Sequence, residues 1–269
     1  MPKIKANNIN LYYELHGKGR PLVLISGLAT SHHIWLPLID SLKKENQILI
    51  FDNRGIGESD NPDTAYTIED MAEDVFSLIQ NLNLEKPDIL GSSMGGAIAQ
   101  MLAIKHGSNI GKLILDSTTS KLNFTSYLAS DFILGLYKIK MSLEQKALSF
   151  IPWVFSSDYL EKEGNLKKTM KDFLKNPSFP TESGFKKHLE ALKKFDSREL
   201  LEKIENPTLI LRGEKDILIL QDETEALVQN IPFASYYSFK KTGHSICIEK
   251  PEAFTKIVLD FINEKIFSE

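Results

Sequence analysis

The chain has 269 residues, of which 42% are hydrophobic and 25% charged, and its net charge is −4. That length can bury a large core, as one domain or one domain with a lobed insertion, and the slight negative balance gives no electrostatic footprint for nucleic acid or an anionic membrane. A single cysteine, Cys247, excludes an internal disulfide and fits a small core residue in a reducing compartment. The first residues, Met1 to Asn7, carry no apolar stretch of signal-peptide type, and no apolar run approaches a membrane span. A cytoplasmic protein is therefore expected.

Ile9 to Leu15 alternates loosely and reads as an early strand, followed by a turn at Gly17-Lys18-Gly19. Pro21 to Ile25 and Gln47 to Phe51 are short apolar runs, the pattern of strands buried on both faces. Trp35 to Leu42 between them reads as a helix. Ile68, Met71, Ala72, Val75, Phe76, Leu78, Ile79 and Leu82 repeat at helical spacing, with Thr67 as N-cap and Asp70 three residues on. A strand ending at Leu90, a helix from Gly95 to His106 and a strand at Leu113–Leu115 follow. Strands alternating with helices predict a mostly parallel α/β sheet.

The rhythm breaks after Asp116. From about Thr119 to Arg198 the pattern is helical and Lys-rich, punctuated by Pro152, Pro177 and Pro180. Alternation resumes at Pro207–Gly213, with a helix near Glu223–Gln229, a strand near Ser235–Phe239 and a final helix from Pro251 to about Lys265. No Gly/Ser/Pro-rich tether flanks the helical stretch. The expected organisation is an α/β core made of 1–118 and 199–269, with a helical cap inserted at 119–198.

The chemistry centres on Gly91-Ser92-Ser93-Met94-Gly95. Between a strand and a helix, this spacing puts Ser93 on a sharp turn, lifted off the sheet over a helix N-terminus. A serine nucleophile needs a base, and the base needs an orienting carboxylate. His244 lies in the loop between the last strand and the last helix and is the candidate base. His16, His106 and His188 read as solvated turn or helix-face residues; His32-His33, after the third strand, is the competing candidate for the base, with substrate contact or a structural role the preferred reading. Asp216, just after the strand ending at Gly213, is the candidate acid; Asp116 and Glu214 are alternatives. Oxyanion donors are expected from the Met94 N–H and from the loop Ser26-Gly27-Leu28-Ala29. There Gly27 is read as permitting an unusual backbone, and Leu28 N–H as the donor. No segment has metal-ligand spacing, so neither metal nor cofactor is expected.

With these residues in view, the chain resembles the α/β-hydrolase superfamily over nearly its whole length. The resemblance rests on Leu24-Ile25-Ser26-Gly27, Asp52 to Ser59, the Ser93 turn, Gly213 to Asp216 and Gly243-His244. It implies an eight-stranded sheet with the cap after the sixth strand, and the triad Ser93, Asp216, His244. Within the superfamily, Ser31-His32-His33-Ile34-Trp35, Asp70-Met71-Ala72 with Asp74, Ser93 to Ala97 and Phe195-Asp196 look like 3-oxoadipate enol-lactonases and small carboxylesterases. Three positions depart from that group: Ser26 where many relatives carry His, no Pro shortly after Asp216, and no Pro after His244.

A serine at the elbow points to esters, lactones or thioesters rather than to the aspartate chemistry of dehalogenases and epoxide hydrolases. Carbon–carbon bond hydrolases, cofactor-free perhydrolases and ligand-sensing proteins with a retained triad remain open on the same residues. The expected partner is a small-molecule ester or lactone. The cap is net positive, which reads as solvated lysines on amphipathic helices or as a preference for an anionic substrate. Phe124, Tyr127, Phe132, Tyr137, Trp153 and Phe155 are expected to pack the cap, a minority lining the pocket.

Overall fold

The computed structural model describes residues 2–175 and 180–264. Its centre is an eight-stranded sheet in the order β1-β2-β4-β3-β5-β6-β7-β8. The strands are β1 (Lys3–Ala6), β2 (Ile9–His16), β3 (Arg20–Ile25), β4 (Asn46–Phe51), β5 (Asp88–Ser92), β6 (Leu113–Asp116), β7 (Thr208–Gly213) and β8 (Ala234–Phe239). From β4 to β8 every neighbouring pair is parallel, whereas β1–β2 and β2–β4 are antiparallel.

Strand alternation divides the core into two layers. Val23, Ile25, Leu49 and Phe51 face one cluster, with α2 (Ile68–Asn81) and α3 (Met94–His106). Leu22, Leu24, Ile48 and Ile50 face the other, with α1 (Leu36–Leu42) and the C-terminal helix. A period of two with both faces covered is why these strands read as unbroken apolar runs. Thr67 and Asp70 cap α2 reciprocally, each side chain bonding the other's backbone N–H.

The strand Lys3–Ala6 is additional to the periodic runs. It pairs with β2 through a two-residue turn in which Asn7 and Asn8 have φ of 43° and 68°. Two successive left-handed residues suit the twist of a tight hairpin, and asparagine tolerates that conformation.

Between β6 and β7 the chain forms α4 (Phe124–Gly135), α5 (Leu143–Val154), α6 (Ser157–Leu160), α7 (Asn165–Lys175) and α8 (Glu182–Lys194). The punctuating Pro177 lies outside the described residues, and Pro152 falls inside α5. Two of the aromatic residues expected to pack this insertion do not: Phe124 is 72% and Phe132 58% exposed. The insertion instead packs through Ala147, Ile151, Val154, Tyr159, Phe185 and Leu189. The chain then continues through α9 (Gln221–Asn230), α10 (Ile246–Glu249) and α11 (Pro251–Ile262). The expected end of the last helix at Lys265 lies outside the described residues.

The strand order reverses at β3, which lies between β4 and β5. The loops leaving β3 and β5 therefore diverge at one edge of the sheet, the position where open α/β sheets gather ligands.

Candidate active site

β5 ends at Ser92 and α3 begins at Met94, so a single residue makes the turn. Ser93 has φ 55° and ψ −120°, in the left-handed half of backbone space that a side chain disfavours. Surrounding bonds hold it there. Its N–H donates to Asp116 O at 2.8 Å, and its carbonyl accepts from Gly96 N at 2.9 Å and Thr118 Oγ1 at 2.7 Å. The turn is possible because Gly91 and Gly95 have no side chains. A Cβ on Gly91 would stand 2.2 Å from Gly95 O, and one on Gly95 would stand 2.1 Å from Ile25 O.

The loop after β3 lies against this turn. A Cβ on Gly27 would approach Ser93 Cβ to 3.1 Å, so the serine side chain packs directly on Gly27. The unusual backbone expected at Gly27 falls instead at Ala29, with φ 55°. Gly27 serves close approach, and Ala29 carries the bend. The N–H groups of Leu28 and Met94 have no hydrogen-bond acceptor among the described residues. Ser26 Oγ accepts from Trp35 Nε1 at 2.9 Å, and Ser26 O accepts from Asn53 Nδ2 at 3.0 Å. Nothing in the sequence pattern marked Asn53 for this brace.

His244 and Asp216 meet across the tips of β7 and β8, with His244 Nδ1 2.8 Å from Asp216 Oδ2. Both residues are buried. Asp216 Oδ1 accepts from the N–H groups of Leu218 and Ile219 at 2.9 and 3.0 Å, which leaves Oδ2 for the imidazole. Burial opposes a charge on His244, but the Asp216 carboxylate outweighs it and holds the imidazole pKa above the usual histidine range. No hydrogen bond joins Ser93 Oγ to His244 in this structure.

The alternative acid, Asp116, is fully buried at the end of β6. Its Oδ2 accepts from Ser92 Oγ at 2.7 Å, and burial pushes its pKa up to about 7. Glu214 faces the other way, accepting from Lys241 N at 2.8 Å. His32 bonds Asp52 Oδ1 at 2.8 Å, which accounts for it structurally. The expectation of a solvated His188 fails, since the residue is fully buried. Its neighbours show why: Phe185, Leu189 and Leu192 form the apolar stripe of α8, and His188 lies within that stripe. His106 stacks on Phe76, with ring centroids 3.7 Å apart, and bonds Glu73, while His16 bonds Glu14.

The helical insertion grips the histidine loop. Ser245 N donates to Val154 O at 2.9 Å. Glu249 accepts from Ser156 N at 2.8 Å, Ser156 Oγ at 2.6 Å and Gly243 N at 3.0 Å. Nothing in the spacing of Glu249 announces these donors, two of which come from Ser156, 93 residues away. Two surface clefts, of about 550 and 660 Å³, lie elsewhere and contain none of Ser93, Asp216 and His244. Among the described residues no group of three His, Cys, Asp or Glu side chains is placed to hold a metal ion. Among the described residues no helix is long and apolar enough to cross a membrane.

Residues 20–251 match the family model described as the alpha/beta hydrolase fold. A curated relative from Rhizobium rhizogenes, named "Putative carbamate hydrolase RutD", is 28% identical over 95% of this chain and 98% of its own. An enol-lactonase from Burkholderia xenovorans LB400 superposes with a TM-score of 0.86 and 27% identity, covering 97% of this chain and 100% of that one. The esterase EaEST from Exiguobacterium antarcticum gives 0.84 and 25%, over 97% and 98% of the two chains.

Proposed function

The chain belongs to the alpha/beta hydrolase fold family, and from that premise we propose that it is a serine hydrolase cleaving a small carboxylic ester or lactone through an acyl-enzyme on Ser93. The observation that carries the reading is the buried His244–Asp216 pair, 2.8 Å apart, on the same edge of the sheet as the strained Ser93 turn. In the proposed reaction Ser93 Oγ attacks the carbonyl carbon while His244 Nε2 takes its proton. Asp216 holds the other ring nitrogen and stabilises the imidazolium. The N–H groups of Leu28 and Met94 receive the oxyanion; among the described residues neither has an acceptor to give up. Collapse breaks the bond to the leaving alcohol, which takes the proton back from His244. Water, activated by the same imidazole, then releases the acid and restores Ser93.

None of these steps calls on a resident metal or cofactor. In this reading residues 119–198 act as a cap over the site, the core being 1–118 and 199–269. The carbamate named for the curated relatives presents the same kind of carbonyl, so the same attack accommodates it. That makes carbamate cleavage the second reading.

Short p-nitrophenyl esters, lactones and carbamates, assayed with Ser93→Ala as the blank, test the proposal. Multiple turnover above about 1 s⁻¹, the lower end of ordinary enzyme rates, supports it. Slow single turnover with tight retention of the ligand would favour a sensor. Absence of turnover and of any covalent adduct at Ser93 overturns the proposal.

A further inference from the structure

We propose that His188, on α8 of the helical insertion, is a positioning residue for the oxyanion-binding loop. Its imidazole holds the Ala29 amide, and with it the adjacent Leu28 N–H, in the geometry that the tetrahedral intermediate needs. The inference rests on the reading of Leu28 and Met94 as oxyanion donors.

His188 is fully buried and joins two loops of the core. Its Nε2 lies 2.7 Å from Arg54 O, and its Nδ1 lies 3.3 Å from Ala29 N. A carbonyl only accepts, so Nε2 carries the proton and Nδ1 is left as the acceptor for Ala29. The neutral ring is the form this site holds; burial lowers its pKa to about 4.

Each end of the bridge is built. On the Arg54 side, the guanidinium pairs with both oxygens of the buried Asp74 at 2.6 and 2.5 Å. Tyr66 lies edge-on to the imidazole, with centroids 6.0 Å apart. One turn earlier α8 sits on the same loop, since a Cβ on Gly184 would stand 2.0 Å from Gly55 O. On the Ala29 side, a residue with a side chain is held at φ 55°, a strained conformation that persists only where the surroundings over-determine it. The core braces the loop at Ser26, through Asn53 and Trp35. The insertion braces it at Ala29. Leu28, whose N–H the reaction uses, lies between the two braces.

The test compares full-length His188→Leu with His188→Gln. Leucine fills the space and offers no polar atom, whereas glutamine keeps one acceptor and one donor. For p-nitrophenyl butyrate, His188→Leu is expected to lower kcat about 10- to 100-fold with little change in KM. That is the scale of a misplaced donor, not of a lost nucleophile. Affinity for butylboronic acid, which forms a tetrahedral adduct on the serine, should fall by a similar factor, and His188→Gln should recover most of both.

A folded His188→Leu with unchanged kcat and boronate affinity overturns the proposal. So does equal loss in both variants that tracks only a lowered melting temperature. Should His188→Leu not fold, the wild type decides by ¹⁵N NMR. The proposal requires an Nε2–H tautomer whose Nδ1 resonance shifts when boronate binds, and an indifferent Nδ1 overturns it. Wild-type turnover and fluorophosphonate labelling test the hydrolase reading separately. Their absence overturns that reading, whereas normal wild-type activity with an insensitive His188→Leu overturns only this one.

Discussion

Ser92 and Ser93 are adjacent but differ in backbone conformation and in what their hydroxyls bond. Ser92 closes β5 and gives its hydroxyl to Asp116, while Ser93 makes the turn at φ 55°. A fluorophosphonate probe should therefore label Ser93 in the wild type and in Ser92→Ala, and label nothing in Ser93→Ala; mass spectrometry placing the adduct on Ser92 would remove the nucleophile assignment. Asp216→Asn should cut acylation by roughly 10⁴-fold, because an amide favours the wrong tautomer of His244 and cannot stabilise its cation. Asp116→Asn should do far less to the rate but change stability with pH. With its pKa raised to about 7 by burial, Asp116 is neutral at pH 5 and ionised in the interior at pH 8. The native state thus loses stability as pH rises from the ordinary carboxylate value of 3.8 to about 7, so the asparagine variant should gain on wild type in melting temperature between pH 5 and pH 8. Equal melting differences at both pH values would contradict the buried-acid account. The raised pKa of His244 likewise places the rising limb of kcat/KM above the 6.5 of a free histidine, not at it. At this scale Ser93, Asp216 and His244 stand out in the sequence because small flanking residues and strand tips are local features. The environment of His188 is not local: its polarity argues for solvent, and only the apolar stripe at Phe185, Leu189 and Leu192 points inward.

The elements are held in place by close contacts that a single methyl group tests. Gly95→Ala would drive a Cβ into Ile25 O at 2.1 Å, whereas Gly135, late in α4, has nothing within 4 Å. Gly95→Ala should lose several kcal/mol or fail to fold, as overpacking against rigid backbone does. Gly135→Ala should be neutral or slightly stabilising, by up to about 1 kcal/mol. Urea melts of the two variants check the contrast, and comparable stabilities would mean that β3 and α3 are not in contact as described. The parallel strands and α2 are legible because both-face burial and the 3.6-residue period each leave a pattern. The strand Lys3–Ala6 is harder to read, being four residues long and mostly exposed. Its remaining signal is the Asn7-Asn8 pair, which a tight hairpin turn favours.

Across the whole molecule the proposed chemistry draws nucleophile, base and oxyanion donors from side chains and backbone alone. Ester hydrolysis should therefore survive dialysis against EDTA unchanged, and activity lost on chelation and restored by zinc or manganese would show the essential group to be elsewhere. The proposed division into a two-part core and an inserted cap rests, in the sequence, on the break in strand–helix alternation after Asp116. How the insertion packs cannot, because an amphipathic helix shows which face is apolar but not what covers it. Phe124 and Phe132 stay in solvent while a histidine goes inside. The insertion's two grips on the core, at Ala29 through His188 and at the histidine loop through Glu249, also bear on modularity. A foreign helical segment grafted at residues 119 and 198 would lack His188 and Ser156, one half of each grip. Exchanging the helical insertion to retune substrate range would therefore require transplanting the loops it holds, at Ala29 and beside His244, as well.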